Sequence, residues 1–247
     1  MADSTNKEGL ERVELSVVMP AFNEEATIAT CLRRVLAQES VKEVVVVDDA
    51  SSDGTVALVE KLLCKDPRIR LEQHAVNRGK GAALRTGFSL VTGNAVLIQD
   101  ADLEYDPQDY ARMLAPIRQA RADVVYGSRF LGGGSHRVLY FWHYVGNRAL
   151  TLLSDCFTDL NLSDMETGMK LFRREVIERL DLKEDRFGIE PEITARIAAL
   201  GVRIYEVPVS YYGRTYAEGK KIGWRDGVRA LWCIIKYGCC CRTRHDR

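Results

Sequence analysis

Leu15–Thr55 reads LSVVMPAFNEEATIATCLRRVLAQESVKEVVVVDDASSDGT, and this stretch decides the fold. Leu15–Met19 is a short apolar run, which predicts a strand. Over Glu25–Gln38 the period changes: Ile28, Leu32, Val35 and Leu36 share one helical face. Val44–Val47 is a run of valines, β-branched and too short for a helix. Asp53 is placed to cap a following helix through Val56, Leu58, Val59 and Leu62. Further out, Ile69–Glu72, Ala95–Gln99 and Asp123–Tyr126 read as strands. Gly81–Val91 reads as a helix, and Pro107 opens another to about Ala120. Short apolar strands alternating with helices predict an α/β fold: a mostly parallel central sheet flanked by helices, in a single domain.

Beyond Gly132-Gly133-Gly134 the pattern is less regular. Met169–Phe172 and Val202–Val207 predict strands, and Glu190–Leu200 a helix. Val138–Phe157 and Trp224–Tyr237 are helices rich in large apolar residues and edged with Arg and Lys. Both suit a membrane surface, with Trp142, Tyr140 and Tyr144 fitted to the interface. Burial in the core or in a homodimer is the alternative for both.

Composition narrows the class. The 247 residues are 46% apolar and 28% charged with zero formal net charge, which is ordinary globular usage and excludes disorder and collagen. No apolar run approaches the ~18 residues of a membrane span. The polar N-terminal stretch lacks the apolar core of a signal peptide. Seven cysteines without a CxxC pair, and four scattered histidines, argue for reduced cytosolic thiols and against a zinc cluster. From Arg214 to Arg247 nine Lys/Arg face three Asp/Glu. That basic end suits a phosphate or lipid headgroup, and a solvated helix end accounts for it equally. Nucleic acid is not expected, because no basic sheet face is lined with aromatics.

In parallel sheets, ligands bind beyond the carboxyl ends of the strands, so the segments leaving those ends carry the chemistry. They read PAFNEE (Pro20–Glu25), DDASSDGT (Asp48–Thr55), HAVNRGKG (His74–Gly81), QDADLE (Gln99–Glu104) and GSRF (Gly127–Phe130). Alternation along an extended segment puts Asp100 and Asp102 on one side, with Glu104 next in line. These hard oxygen donors suit Mg2+ or Mn2+; a surface turn is the other reading. Arg78-Gly79-Lys80-Gly81 lets main-chain N–H groups approach an anion at a helix start, yet it matches neither a P-loop nor GxGxxG. Of Asp48 and Asp49, one is expected to cap the turn and the other to accept from a ligand.

PAFNEE, VVVVDDASSDGT, NRGKGAALRTG, DADLE and GSRF, in this order, resemble the inverting family-2 glycosyltransferases of GT-A fold. SDMETGMKLFRREV (Ser163–Val176), DRFGIEPEIT (Asp185–Thr194) and EVPVSYYGRTYAEGKK (Glu206–Lys221) resemble the branch containing dolichol-phosphate mannosyltransferases and polyprenyl-phosphate glycosyltransferases. The resemblance implies a flexible tail over 1–14, a GT-A domain over 15–237 and a basic, cysteine-containing tail over 238–247. Its donor-binding half would span about 15–130 and its acceptor half about 131–237. Pro20, Phe22, Glu24, Asp48, Asp49, Arg78, Lys80 and Asp100 fall on the donor-nucleotide side. Asp100, Asp102 and Glu104 fall on the metal positions, with Glu104 where the branch often has Gln. Arg129 matches an arginine that meets the acceptor phosphate, and Arg148 is its helper. Arg214 and Lys220 match basic residues of a mobile loop over the diphosphate. Asp164 matches an acceptor-side carboxylate, read either as a general base or as the group that orients an arginine. Lys170 stands where the family has arginine.

The implied activity is metal-dependent transfer of a hexose from a GDP- or UDP-sugar to a polyprenyl phosphate at the cytosolic membrane face. A lipid phosphate is already an anion, so its attack needs positioning rather than a strong base. A soluble or polysaccharide acceptor, which requires a base, is the alternative. A non-catalytic nucleotide-sugar binder is a third reading, opposed by the presence of Asp102, Arg214 and Lys220. Cys239-Cys240-Cys241 beside Arg242 is either a site of acylation or an unmodified run near the end of the sequence.

Overall fold

The computed structural model describes residues 12–132, 137–138, 140–214 and 224–245, with backbone only at 224, 225 and 240–245. The expectations for Lys220, for most of the N-terminal tail, and for the Cys240 and Cys241 side chains lie outside the described residues.

Seven strands form one sheet: β1 (Leu15–Ala21), β2 (Val41–Asp48), β3 (Ile69–Gln73), β4 (Ala95–Ile98), β5 (Val124–Ser128), β6 (Lys170–Arg173) and β7 (Ile204–Pro208). Their order is β3-β2-β1-β4-β6-β5-β7. Every pairing is parallel except those of β6, which runs antiparallel to both β4 and β5. The valines of β2 show why the sheet must be covered on both faces. Val44 and Val46 enter one core and Val45 and Val47 the other, all fully buried. The first core is closed by α1 (Ile28–Leu36), α2 (Thr55–Leu63) and α4 (Tyr110–Arg118). The second is closed mainly by α3 (Lys80–Leu90), α7 (Ile189–Leu200) and Ile234 of α8 (Trp224–His245). Helix α5 (Phe141–Thr158) packs along α8, and α6 (Arg174–Ile177) is a single turn after β6.

Strand order reverses between β1 and β4, and in open α/β sheets that reversal is where the segments leaving the carboxyl ends diverge and ligands bind. Three non-glycine residues with left-handed backbone sit in the loops at that edge: Asn23, Ala50 and Leu103, with φ of 52°, 62° and 64°.

Several local expectations are corrected. Gly54, not Asp53, precedes α2 as its cap residue. Asp53 instead accepts from the Thr55 N–H and hydroxyl and from the Glu25 N–H, tying two loops together. The helix expected from Pro107 to Ala120 begins as a 3-10 turn over Pro107–Asp109 and stops at Arg118, shortly after Pro116. Helix α8 runs on past Tyr237 to His245.

Candidate active site

The loop after β4 carries Asp100, Asp102 and Glu104, and each carboxylate meets a cation from elsewhere. Lys80, the first residue of α3, puts Nζ 3.0 Å from Asp100 and 3.0 Å from Glu190. Burial alone would lower the Lys80 pKa, but the charges of Asp100 and Glu190 raise it, so it stays an ammonium. Arg214 Nη2 lies 2.9 Å from Asp102 Oδ2, its Nε 3.4 Å from Glu104 Oε1, and its Nη1 3.5 Å from Glu24 Oε2. Its N–H donates to Glu104 at 2.8 Å, and the Tyr211 hydroxyl donates to the other Glu104 oxygen at 2.8 Å. Burial, then the charges of Asp100 and Glu104, push the Asp102 carboxyl up to about 7, with Arg214 opposing.

The residues fit a divalent cation by donor chemistry: hard carboxylate oxygens whose mutual repulsion a cation would relieve. Gly168 supports this, since a Cβ there would collide with Asp100 Oδ2. Among the described residues no three carboxylate, His or Cys side chains converge as a ready-made metal cage. Arg214 and Lys80 hold the carboxylates in this arrangement instead.

The residues expected on the nucleoside side are partly occupied by the chain itself. Asp49 accepts from the Arg78 N–H at 2.9 Å and the Gly79 N–H at 2.6 Å, and His74 Nδ1 lies 2.7 Å away. The anion in the Arg78–Gly81 turn is therefore a carboxylate of the chain itself. Gly79 has φ +102°, and a Cβ at Gly79 or Gly81 would strike the backbone of Asp185 or Glu184. Those glycines serve close packing. Asp48 accepts from the Ser51 N–H through Oδ2, while its buried Oδ1 has no partner. Asp48 is thus the turn-capping aspartate. Pro20 is the penultimate residue of β1, Phe22 is exposed just beyond the strand, and the Glu24 N–H donates to Thr55 Oγ1 at 2.8 Å. Arg78 is exposed.

On the opposite side, Asp164 is fully buried and grips Arg129: Nε and Nη2 donate at 2.7 Å each and the Arg129 N–H at 3.0 Å. Of the two readings of Asp164, the geometry matches the arginine-orienting carboxylate. Arg129 lies over the rings of Phe130 and Tyr211 at 5.4 and 5.2 Å, and among the described residues its Nη1 has no hydrogen-bond partner. Phe130 stacks edge-on against Tyr144 of α5, and Arg148 of α5 donates to the Ser163 carbonyl at 3.1 Å. Arg129, through Phe130, thus adjoins α5, and Arg148 belongs to it.

Three supports were not assigned from sequence. Glu190, buried, bridges Lys80 and the fully buried Lys170. Glu206 accepts the Ser163 and Asp164 N–H groups and so holds the Asp164 loop. Tyr211 braces Glu104. Glu190 and Glu206 lie within motifs that the sequence singled out, which was the available signal.

The comparisons agree with this geometry. The chain is 30% identical to the polyprenol monophosphomannose synthase of Mycolicibacterium smegmatis over 94% of this chain and 88% of that one. It is also 30% identical to the undecaprenyl-phosphate mannosyltransferase of Micrococcus luteus, over 91% and 94% respectively. In fold it is similar to glucosyl-3-phosphoglycerate synthase from Mycobacterium tuberculosis, solved with Mn2+ and UDP, at TM-score 0.71 and 20% identity, covering 92% of this chain and 78% of that one. The sequence profile of glycosyl transferase family 2 matches residues 16–181. With a GT-A sheet, a carboxylate triplet beyond β4 and an anchored arginine beyond β5, the chain belongs to glycosyl transferase family 2 and is a glycosyltransferase.

Proposed function

We propose that the chain transfers a hexose of the mannose or glucose type from a GDP- or UDP-sugar to a polyprenyl phosphate. The observation that carries this reading is Arg129. Its guanidinium is fixed by a buried carboxylate and keeps one edge free, beside a helix whose apolar side chains face outward. An acceptor that is anionic at one end and greasy along its length matches that pairing. Asp164 acts as the positioning residue for Arg129, and Arg148 steadies the same loop. Glu24 and Asp48 lie towards the nucleoside, and Lys80 and Arg214 supply positive charge for the diphosphate. Lys220 is proposed to join them. Mg2+ or Mn2+ held by Asp100 and Asp102, with Glu104 adjacent, supplies charge neutralisation at the leaving diphosphate.

The chain is further proposed to sit peripherally on the cytosolic membrane face. Among the described residues no helix is long and apolar enough to cross a membrane. Phe141, Trp142 and Leu152 of α5 and Val228 and Trp232 of α8 are more than half exposed. Cys31, Cys64, Cys156, Cys233 and Cys239 are all unpaired, as suits a reducing compartment.

The test is nucleotide release by purified protein with Mg2+ or Mn2+ across UDP- and GDP-hexoses, with and without a short polyprenyl phosphate. Release that requires the lipid phosphate, with sugar recovered in the lipid phase, is expected. Donor turnover indifferent to lipid refutes the acceptor assignment and leaves the family chemistry standing.

A further inference from the structure

Glu166 lies on the segment that joins the two halves of the site. Two residues before it, Asp164 holds Arg129; two residues after it, Gly168 lies against Asp100. Its neighbours are tightly partnered: Met165 N–H donates to Thr151, and Thr167 hydroxyl to the Gly127 carbonyl. Among the described residues Glu166 has no hydrogen-bond or ion-pair partner, and its Oε1 is sealed from solvent with no donor in reach. The residue is nevertheless partly open. An unpartnered, desolvated carboxylate oxygen is costly, and a fold keeps one where a ligand supplies the missing donor.

The surroundings restrict that ligand. Burial first, then the charge of Glu190, push the Glu166 carboxyl up to about 7; Lys170 and Arg129 oppose this and Asp164 adds to it. A phosphate has no proton to give Oε1 and would face its charge, while the neighbouring Arg129 and Lys170 are already held by Asp164 and Glu190, so neither the diphosphate nor the acceptor phosphate suits this position. The ribose belongs with the base, out beyond β1 and β2. What remains between the donor carboxylates and the acceptor arginine is a neutral group rich in O–H donors. We propose that Glu166 is a sugar-binding, specificity-determining residue that accepts one or more hydroxyls of the transferred hexose.

This assignment rests on the glycosyl-transfer reading and deepens it. The test is calorimetric binding of a nucleoside diphosphate and of its hexose conjugates, with Mn2+, to wild type, Glu166→Gln and Glu166→Ala, together with thermal unfolding. Removal of an acceptor for a hydroxyl should weaken the preferred nucleotide-hexose by roughly 10- to 100-fold in Glu166→Ala. Affinity for the bare nucleoside diphosphate should be unchanged. Discrimination between hexose epimers should shrink in both variants. Glu166→Gln should unfold at or above the wild-type temperature, because a buried unpartnered charge is gone; a merely structural glutamate would lose stability. Equal losses for nucleotide and nucleotide-hexose, or none, overturn the assignment while donor binding by wild type keeps the broader reading. Wild type that binds no nucleotide-hexose at all overturns both.

Discussion

Replacing Asp164 separates a positioning role from a base role and has a calculable cost. Asp164 has no exposed side-chain surface and Arg129 is 10% exposed. Two side-chain hydrogen bonds at 2.7 Å and one from the Arg129 N–H join them. Asp164→Ala strands a buried guanidinium, and breaking such a pair costs about 3–5 kcal/mol. For a chain of this size that is a fall of roughly 6–20 °C in Tm. Removing Arg129 as well takes away the stranded charge, so the double variant should recover about 3 kcal/mol relative to the sum of the singles. Chemical denaturation of the four proteins measures this cycle. In kinetics, Asp164→Asn should raise KM for the lipid phosphate more than it lowers kcat, since Arg129 is less firmly aimed. Loss of a general base would instead cut kcat by about 10²–10⁴ with acceptor KM unchanged. Additive stabilities, or a kcat loss of that kind, would refute the positioning role.

Three further outcomes are expected. Gly168→Ala drives a Cβ into Asp100 Oδ2, so Mn2+ affinity measured by calorimetry should fall about 10–100-fold, as for disturbed ligand-orienting groups, with little change in Tm. Burial would raise the Glu184 carboxyl, but hydrogen bonds from Arg229, Lys236 and Tyr237 hold it at about 2. That lowered value stabilises α8 above the unfolded carboxyl pKa near ~4.3 and the benefit fades as pH falls toward 2. Arg229 and Lys236 are 53% and 44% exposed, so the contribution is below the roughly 3 kcal/mol that the full shift implies. Trp232 fluorescence against pH should show α8 loosening in acid, and Glu184→Gln should abolish that dependence. Trp142→Ala and Trp232→Ala should each weaken binding to anionic vesicles by about tenfold, read by co-sedimentation; unchanged sedimentation with a dimer in light scattering would assign that face to a second copy.

Much of the fold was legible because burial leaves a periodic mark. Val44–Val47 enter two cores, and the Ile28, Leu32 and Val35 stripe of α1 is fully buried, as their spacing predicts. Direction leaves no such mark: Met169–Phe172 reads as a strand, and one forms over Lys170–Arg173, yet nothing in those residues says that it runs antiparallel between β4 and β5. Partners are harder still. The sequence names no partner for Lys170, and only the fold brings Glu190 against it. Arg214 meets Glu104 across 110 positions of chain, and Asp49 is consumed by two N–H groups about 30 positions away. Chemistry-bearing types could be read from the motifs; which of them remain free for a ligand could not.

That last distinction decides how the site works. Asp100, Asp102 and Glu104 would repel one another if left alone, yet Lys80 and Arg214 offset part of that repulsion in place. The same two cations are the groups proposed to meet the donor diphosphate. If a diphosphate bound with a divalent cation, partners would be exchanged rather than charge added: Asp100 and Asp102 would hold the cation, and the released Lys80 ammonium and Arg214 guanidinium would pair with the phosphates. Such an exchange keeps the buried charge nearly constant, which limits the desolvation penalty of binding a highly charged ligand in a closed site. Glu190 fits this logic, because with Lys170 behind it Lys80 stays paired after releasing Asp100. Glu190, itself anchored by the fully buried Lys170, thus supplies the carboxylate that keeps Lys80 paired and in place.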